Sequence, residues 1–111
     1  MLNSSDILRG YMDTIILAQL EKEDSYGYAI SKRVADITEG TLEMKEGTLY
    51  TTFRRLESLG MIESYWGDEQ AGARRRYYHL TQKGRELLEE NKMDWKHYSR
   101  ILEKVLGKEA Y

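Results

Sequence analysis

Hydroxyl, phenol and guanidinium groups recur along one side of a predicted helix in the middle of the chain. At 100° per residue, Leu49 and Phe53 share an inner face with Leu56. The polar residues of the opposite side and its flanks are Thr48, Tyr50, Thr51, Arg54 and Arg55. Such groups hydrogen-bond phosphates and base edges, and an arginine fork matches the guanine edge in the major groove. The spacing therefore predicts a helix that can present these groups to a DNA groove.

Two runs after this helix, residues 61–66 and 75–80, are rich in Ile, Tyr and Trp and predict a β-hairpin. Arg74 and Arg75 stand where the return strand begins, and the tip between the strands contains Gly72. A basic hairpin with a small-residue tip can lie along a phosphate backbone or enter a minor groove. The alternative is that these arginines only protect the strand edge from aggregation.

The two faces of the predicted hairpin differ in character. Alternation along the return strand places Arg76, Tyr78 and Leu80 on one face. Arg76 is therefore expected to pair within the protein. Trp66 is expected to pack in the core of the hairpin.

The bulk composition bounds the classes of protein that this chain can be. It has 111 residues, 41% hydrophobic and 32% charged, which predicts a single helix-rich globular domain. The absence of cysteine excludes disulfides and thiolate metal sites. No apolar run is long enough to cross a membrane, so no membrane partner and a cytoplasmic location are expected.

The net charge of −2 is unevenly distributed along the chain. Residues 1–44 carry four basic and eight acidic residues, whereas residues 45–80 carry six and five, and residues 81–111 carry seven and six. Binding of a nucleic acid depends on the local field at the contacting face more than on the total charge. The distribution therefore predicts moderate, salt-sensitive affinity for DNA.

A first helix, beginning at Ser4 or Ser5, is predicted to be apolar on both sides, which is typical of a helix buried on more than one face. In so small a chain, one of those faces is expected to contact a second subunit. A second helix is predicted to be capped by Ser25. Its inner stripe is expected to consist of Tyr26, Ile30, Val34 and Ile37.

The second predicted helix and the helix that carries Thr48 and Arg54 together form a helix-turn-helix pair. Tyr28 and Lys32 point away from the inner stripe of the second helix, and Lys45 precedes the helix that carries Thr48 and Arg54. These three residues join the set predicted to contact DNA. Residues 41–44 are predicted to be a third strand at the edge of the hairpin.

Thr81 is predicted to cap a long last helix that runs to about Leu106. Large residues recur there in steps of three and four, which is the pattern of a coiled-coil seam with one polar position. The seam consists of Leu88, Asn91, Trp95, Tyr98, Leu102 and Val105. No other segment is expected to cover it, so a homodimer is predicted.

These features together closely resemble the PadR family of bacterial winged-helix transcriptional regulators, over nearly the whole chain. The matching motifs are Tyr26-Gly27-Tyr28, Glu46-Gly47-Thr48-Leu49-Tyr50, Arg54-Arg55-Leu56-Glu57, Tyr65-Trp66-Gly67, and Arg74-Arg75-Arg76-Tyr77-Tyr78-His79-Leu80-Thr81 with Gly84. Ala73 and His79 depart from the family pattern in the wing.

The resemblance implies a mainly α fold with a small β-hairpin wing. A winged helix-turn-helix DNA-binding domain would occupy residues 1–80, and a long C-terminal dimerisation helix residues 81–111. It further implies a homodimeric repressor that binds an inverted-repeat operator in double-stranded DNA.

Trp95 has two interpretations. It can fill the core of a dimer, or it can form a flat wall for a planar aromatic small molecule. The chain resembles the multidrug-sensing PadR members, in which such a tryptophan stacks on aromatic compounds between the subunits. The resemblance then implies ligand contacts by Ile7, Tyr11 and Thr14 of the first helix, with Tyr11 bulky enough to narrow the pore.

No catalytic or cofactor-binding motif is visible in the sequence. His79 and His97 have no second ligand at metal-binding spacing, and there is neither a Ser/His/Asp set nor a phosphate-binding loop. No enzyme, metal or cofactor is expected. The alternatives to a DNA-binding repressor are a ligand-independent winged-helix module that binds proteins, and a small-molecule binder built around Trp95.

Overall fold

The computed structural model describes residues 4–67 and 74–107, with side chains described from Gly10 onward. Four helices and three short strands make up these residues. In chain order they are α1 (Ser4–Lys22), β1 (Ser25–Tyr26), α2 (Gly27–Ile37), α3 (Glu46–Ser58), β2 (Ile62–Trp66), β3 (Arg76–Leu80) and α4 (Gln82–Val105). The prediction of a mainly α fold with a small β-hairpin and a long last helix is confirmed.

The third strand of the sheet is not where the sequence pattern predicted it. The sheet is antiparallel with the order β1-β3-β2, and Ser25 and Tyr26 pair with Tyr78 and Tyr77. β1 thus occupies the free edge of β3, and the prediction of a strand at residues 41–44 is wrong. The buried side chain of Met44 anchors that segment to the core instead.

The position of β1 also changes the start of α2. The predicted cap residue Ser25 belongs to the strand, and the residue that precedes the helix is Tyr26, which makes no side-chain capping bond. At the other end, Ile37 is 66% exposed, so its place in the inner stripe was predicted wrongly, whereas Ile30 and Val34 are buried as predicted. Ile37 is the last residue of α2, beyond the part of the helix that packs on the core.

A single hydrophobic core lies between the helices and one face of the sheet. Phe53 of α3 stacks on Tyr78 of β3 with ring centroids 4.0 Å apart. The buried apolar residues are Met12, Ile16, Leu17, Leu20, Ile30, Val34, Met44, Leu49, Phe53, Leu56, Ile62, Tyr78, Leu80 and Leu88. They include all three residues predicted for the inner face of α3, and these residues therefore fix which side of α3 faces outward.

The chain reverses tightly between α3 and β2. Gly60 adopts φ +78°, a left-handed conformation that glycine reaches without steric cost. The Gly60 amide donates to Glu57 and the Met61 amide to Leu56, which is the hydrogen-bond pattern of a Schellman helix end. β2 therefore begins directly beside the end of α3.

Thr81 joins this turn to the start of α4. Its hydroxyl accepts a hydrogen bond from the Gly84 amide at 3.0 Å, which confirms the predicted cap. The same hydroxyl lies 2.7 Å from the carbonyl oxygen of Gly60 and donates to it. A Cβ atom added to Gly84 would lie 2.1 Å from the carbonyl oxygen of Met61, so only glycine allows this close approach.

The first turns of α4 belong to the core, and the rest of the helix extends beyond it. Leu88 is fully buried within its own chain, so its assignment to an uncovered seam was wrong. Beyond it, Trp95, Tyr98, Leu102 and Val105 are exposed. The projecting helix gives the molecule dimensions of 58 × 29 × 21 Å.

Among the described residues, no helix is both long and apolar enough to cross a membrane.

Candidate nucleic-acid interface

The outer face of α3 carries the polar groups that the sequence pattern predicted there. Thr48, Thr51 and Arg54 are exposed, and an Arg54 guanidinium nitrogen lies 3.4 Å from the Thr51 hydroxyl. Thr52, between them in sequence, is buried and donates to the carbonyl oxygen of Thr48 at 2.8 Å. The face therefore presents two hydroxyls and the guanidinium of Arg54 to the outside.

Tyr50 lies at the edge of this face and is held by its neighbours. Its ring packs edge-on against Phe53, with centroids 5.5 Å apart. A Cβ atom at Gly27 would lie 2.5 Å from the phenol oxygen, so the glycine at the start of α2 makes room for it. Gly27 of the Tyr26-Gly27-Tyr28 motif thus leaves space for Tyr50 between the two helices of the helix-turn-helix pair.

Arg55 differs from its neighbour Arg54. Its two terminal nitrogens donate to the two carboxylate oxygens of Asp13 on α1, at 2.8 and 2.5 Å. Its hydrogen bond to Asp13 raises the pKa of the guanidinium above its ordinary value. The structure therefore gives Arg55, which the sequence pattern placed among the residues predicted to contact DNA, a partner within the protein.

The remaining predicted contacts on the helical side are also at the surface. Tyr28 is exposed near the start of α2, and Lys32 lies one turn further on. The Lys32 ammonium is 3.3 Å from the Asp36 carboxylate, an exposed pair of the kind that dissociates readily. Lys45 is exposed at the residue preceding α3.

Two guanidinium groups lie over an aromatic ring at the base of the wing. Arg74 and Arg76 lie 5.1 and 5.5 Å from the ring centroid of Trp66. Arg76 also donates to Ser64 and lies 3.7 Å from Glu57, which confirms that it pairs within the protein. Trp66 is 51% exposed, so its predicted place in the hairpin core was wrong.

The opposite face of the sheet is covered by tyrosines. Tyr77 lies between Tyr26 and Tyr65, with ring centroids 5.3 and 5.7 Å away, and the Arg75 guanidinium lies 4.8 Å above the ring of Tyr26. Arg75 therefore leaves the sheet on the face away from Trp66, as strand alternation predicts.

Asp24 connects β1 to the wing strands. Its carboxylate accepts a hydrogen bond from the Tyr65 hydroxyl at 2.5 Å and lies 2.8 Å from Nδ1 of His79. Burial alone would raise the pKa of Asp24, but the contacts with Tyr65 and His79 outweigh it and lower the pKa. The hydrogen bond to Asp24 raises the pKa of Tyr65 to about 12. His79 is thus accounted for as a structural partner of a carboxylate.

A groove of about 740 Å³ runs between α1 and the projecting part of α4. Trp95, Tyr11 and Thr14, all predicted to contact a ligand, line it together with Tyr98. Asn91 donates to the hydroxyl of Thr14 at 2.9 Å and so connects the two helices within one chain. The sequence pattern had assigned Asn91 to an intermolecular seam only.

Two predicted site residues cannot be placed. Gly72 of the wing tip and the side chain of Ile7 lie outside the described residues. Asp13 and Asp24, in contrast, were not singled out from the sequence. Their partners are 42 and 55 residues away, and no local pattern reports such pairs.

The part of the chain that the structure describes contains no cluster of three His, Cys, Asp or Glu side chains able to hold a metal ion.

A helix-turn-helix pair followed directly by a two-stranded wing defines a winged helix-turn-helix protein. Residues 16–90 match the model of the transcriptional regulator PadR-like family. The chain belongs to the PadR-like family of transcriptional regulators, which are DNA-binding regulators and not enzymes.

Two solved structures show how closely the fold is shared. A transcriptional regulator from Clostridium thermocellum is 42% identical, with a TM-score of 0.82 over 89% of this chain and 96% of that one. A PadR family transcription regulator from Clostridium difficile is also 42% identical, with a TM-score of 0.78 over 87% of this chain and 99% of that one.

Two curated relatives were found by sequence. An uncharacterized protein of Lysinibacillus sphaericus is 40% identical over 89% of this chain and 91% of its own length. The transcriptional regulator YqjI of Escherichia coli is 30% identical over 75% of this chain, which spans only 38% of that relative.

Proposed function

We propose that the protein is a homodimeric repressor that binds an inverted-repeat operator. The proposal is supported by one surface of the protein. The side chains of Thr48, Thr51 and Arg54 are exposed on α3, and Arg74 is exposed at the base of the wing beside them. In winged helix-turn-helix proteins the second helix of the pair enters the major groove. In this protein that helix is α3, and we call it the reading helix. Arg74 is then close enough to the duplex to contact the adjacent phosphates. The proposed set of DNA-contacting residues also includes Tyr28, Lys32, Lys45, Tyr50 and Arg75. The protein would bind DNA in the cytoplasm.

The proposed dimer rests on an apolar strip along the projecting part of α4. Trp95, Tyr98, Leu102 and Val105 are exposed and follow one another in steps of three, four and three. Exposed apolar strips of this length are typical of subunit contacts. A two-fold dimer places its two reading helices about one helical turn of DNA apart, roughly 10 base pairs. Bound there, it would block access to a promoter.

We expect Arg54→Ala to weaken operator binding by about 1–3 kcal/mol and to relax the preference at one operator position. The reason is that Arg54 is the one guanidinium of α3 that does not have a carboxylate partner among the described residues. Binding to DNA from upstream of its own gene is measured by fluorescence anisotropy at several salt concentrations.

Two further variants separate base reading from phosphate contact. Arg74→Ala is expected to weaken all duplexes alike and to lower the salt slope by about 1. Arg100→Ala, which removes an exposed arginine from the far part of α4, is the matched control and should leave binding unchanged. Unaltered affinity in both Arg54→Ala and Arg74→Ala would exclude α3 and the wing as the reading surface.

The groove between α1 and α4 supports a further element of the proposal, release of the operator by a planar aromatic ligand. Its volume of about 740 Å³ is in the range of small-molecule sites, and Trp95, Tyr98 and Tyr11 supply flat apolar walls. In the proposed dimer the groove would face its symmetry mate. A ligand there can change operator affinity only if it favours one spacing of the reading helices over another.

We expect flat cationic dyes, quinoline drugs or phenolic acids to quench the fluorescence of Trp95 in a saturable manner. Trp66→Phe provides a background in which Trp95 is the only tryptophan, because the chain contains two. Micromolar affinity corresponds to about 8 kcal/mol, most of which must come from apolar burial because each aromatic stack adds only about 0.5–1.5 kcal/mol.

The control is Trp95→Leu in the wild-type background, for which operator binding should no longer respond to the ligand. Absence of saturable quenching by all three compound classes would leave Trp95 as dimer core.

A further inference from the structure

The two adjacent arginines of α3 face different chemical surroundings. Among the residues that the structure describes, Arg54 contacts the hydroxyl of Thr51, at 3.4 Å, and no carboxylate, and its side chain is exposed. Both terminal nitrogens of Arg55 donate hydrogen bonds to the carboxylate of Asp13, at 2.8 and 2.5 Å. The carboxylate holds the guanidinium in one orientation and balances its charge, so the guanidinium attracts a phosphate less than an unpaired one does.

The contact with Asp13 continues into α4. Thr14, next to Asp13 on α1, accepts a hydrogen bond from Asn91 at 2.9 Å. Seven residues further along α1, the Glu21 carboxylate lies 3.0 Å from the ammonium of Lys92, the residue that follows Asn91. α1 is therefore joined by polar contacts to α3 on one side and to α4 on the other.

We infer that Arg55 is a positioning residue that, through Asp13, sets the orientation of the reading helix relative to the helices of the proposed dimer interface. The inference rests on the proposed function. A two-pronged arginine–carboxylate pair is planar and directional, so it restrains rotation about the helix axis, which a lysine at the same position cannot do. The pair is two-pronged and partly exposed, so its contribution to stability is small but measurable, and its main effect is on the orientation of α3.

The test measures how strictly the protein demands one operator spacing. Duplexes carry two half-sites with the best spacer, one base pair fewer and one base pair more. For Asp13→Asn, Arg55→Ala and Arg55→Lys we expect the preference for the best spacer to fall by about 2- to 30-fold, to a similar extent in all three. The salt slope of Asp13→Asn and Arg55→Lys should equal that of the wild type. The Asp13→Asn/Arg55→Ala double variant should be no worse than either single variant.

Opposite outcomes would overturn the inference. If Arg55 contacts phosphate instead, Arg55→Ala lowers the salt slope by about 1, Asp13→Asn binds DNA more tightly, and Arg55→Lys keeps the spacer preference. Arg54→Ala is the matched control, since losing a base contact should weaken all three spacers equally.

A measurement without DNA separates this inference from the proposed function. Thermal unfolding is measured for Asp13→Asn, Arg55→Ala and the double variant. The shifts in Tm of the two single variants should not add up in the double variant, because both substitutions remove the same contact. Additive shifts would reject the pairing of Asp13 with Arg55 in solution. Failure of the wild type to bind any inverted repeat would reject the proposed function, whatever the unfolding data show.

Discussion

Replacing Gly84 by alanine is expected to destabilise the fold by about 3 kcal/mol, near the upper end of the range for overpacked sites. The added Cβ would lie 2.1 Å from the Met61 carbonyl oxygen and 2.7 Å from a methyl group of Leu80. Neither neighbour can move away easily. Met61 contributes backbone and Leu80 is buried in the core, so α4 must shift away from the turn.

Thermal unfolding followed by circular dichroism measures this loss, with an expected fall in Tm of about 10 °C or more. Gly47→Ala is the matched control, because nothing lies within 4 Å of its added Cβ and the residue is in the first turn of α3. Alanine there should raise stability by at most about 1 kcal/mol. Equal Tm values for Gly84→Ala and the wild type would mean that α4 does not pack on the turn as described.

Local sequence patterns were sufficient for the elements that carry most of this fold. The 3.6-residue period of α3 and α4, the alternation in β2 and β3, and the Thr81 cap all depend on residues close together in the chain. β1 was not predicted because two residues are too few for a periodic signal. Its pairing partners, Tyr77 and Tyr78, lie about 50 residues further along the chain.

The candidate site shows the same division. Residues that face outward because their helix buries the opposite side, such as Thr48 and Arg54, follow directly from the period. The partners of outward residues do not, because they come from distant segments. Arg55 reaches Asp13 on α1, and Trp66 contacts two arginines rather than the core.

The seam of α4 shows what a heptad pattern leaves undetermined. The steps of three and four continue without a break from Leu88 to Val105. Leu88 nevertheless packs in the core of its own chain, and Leu102 is 57% exposed. A periodic stripe identifies the apolar face of a helix, but which part of that face is covered within the chain depends on where the globular core ends.

The exposed apolar strip from Trp95 to Val105 is where we expect a substitution to have the largest effect on function. Leu102→Asp is expected to convert the proposed dimer to a monomer at micromolar concentration, because a carboxylate would be buried against the partner's apolar strip. Since Leu102 is already exposed within one chain, the fold itself should remain intact by circular dichroism. Sedimentation velocity measures the change in mass.

Loss of the dimer should weaken operator binding by about 100- to 10,000-fold, because two linked reading helices bind far more tightly than one. Leu59→Asp is the matched control for assembly. It introduces the same charge at a leucine that is 49% exposed, at the end of α3 and away from the strip on α4. It should sediment as a dimer. If Leu102→Asp also sediments as a dimer, the strip from Trp95 to Val105 is not the interface. A monomeric wild type would remove the dimer, and with it the reason for an inverted-repeat operator.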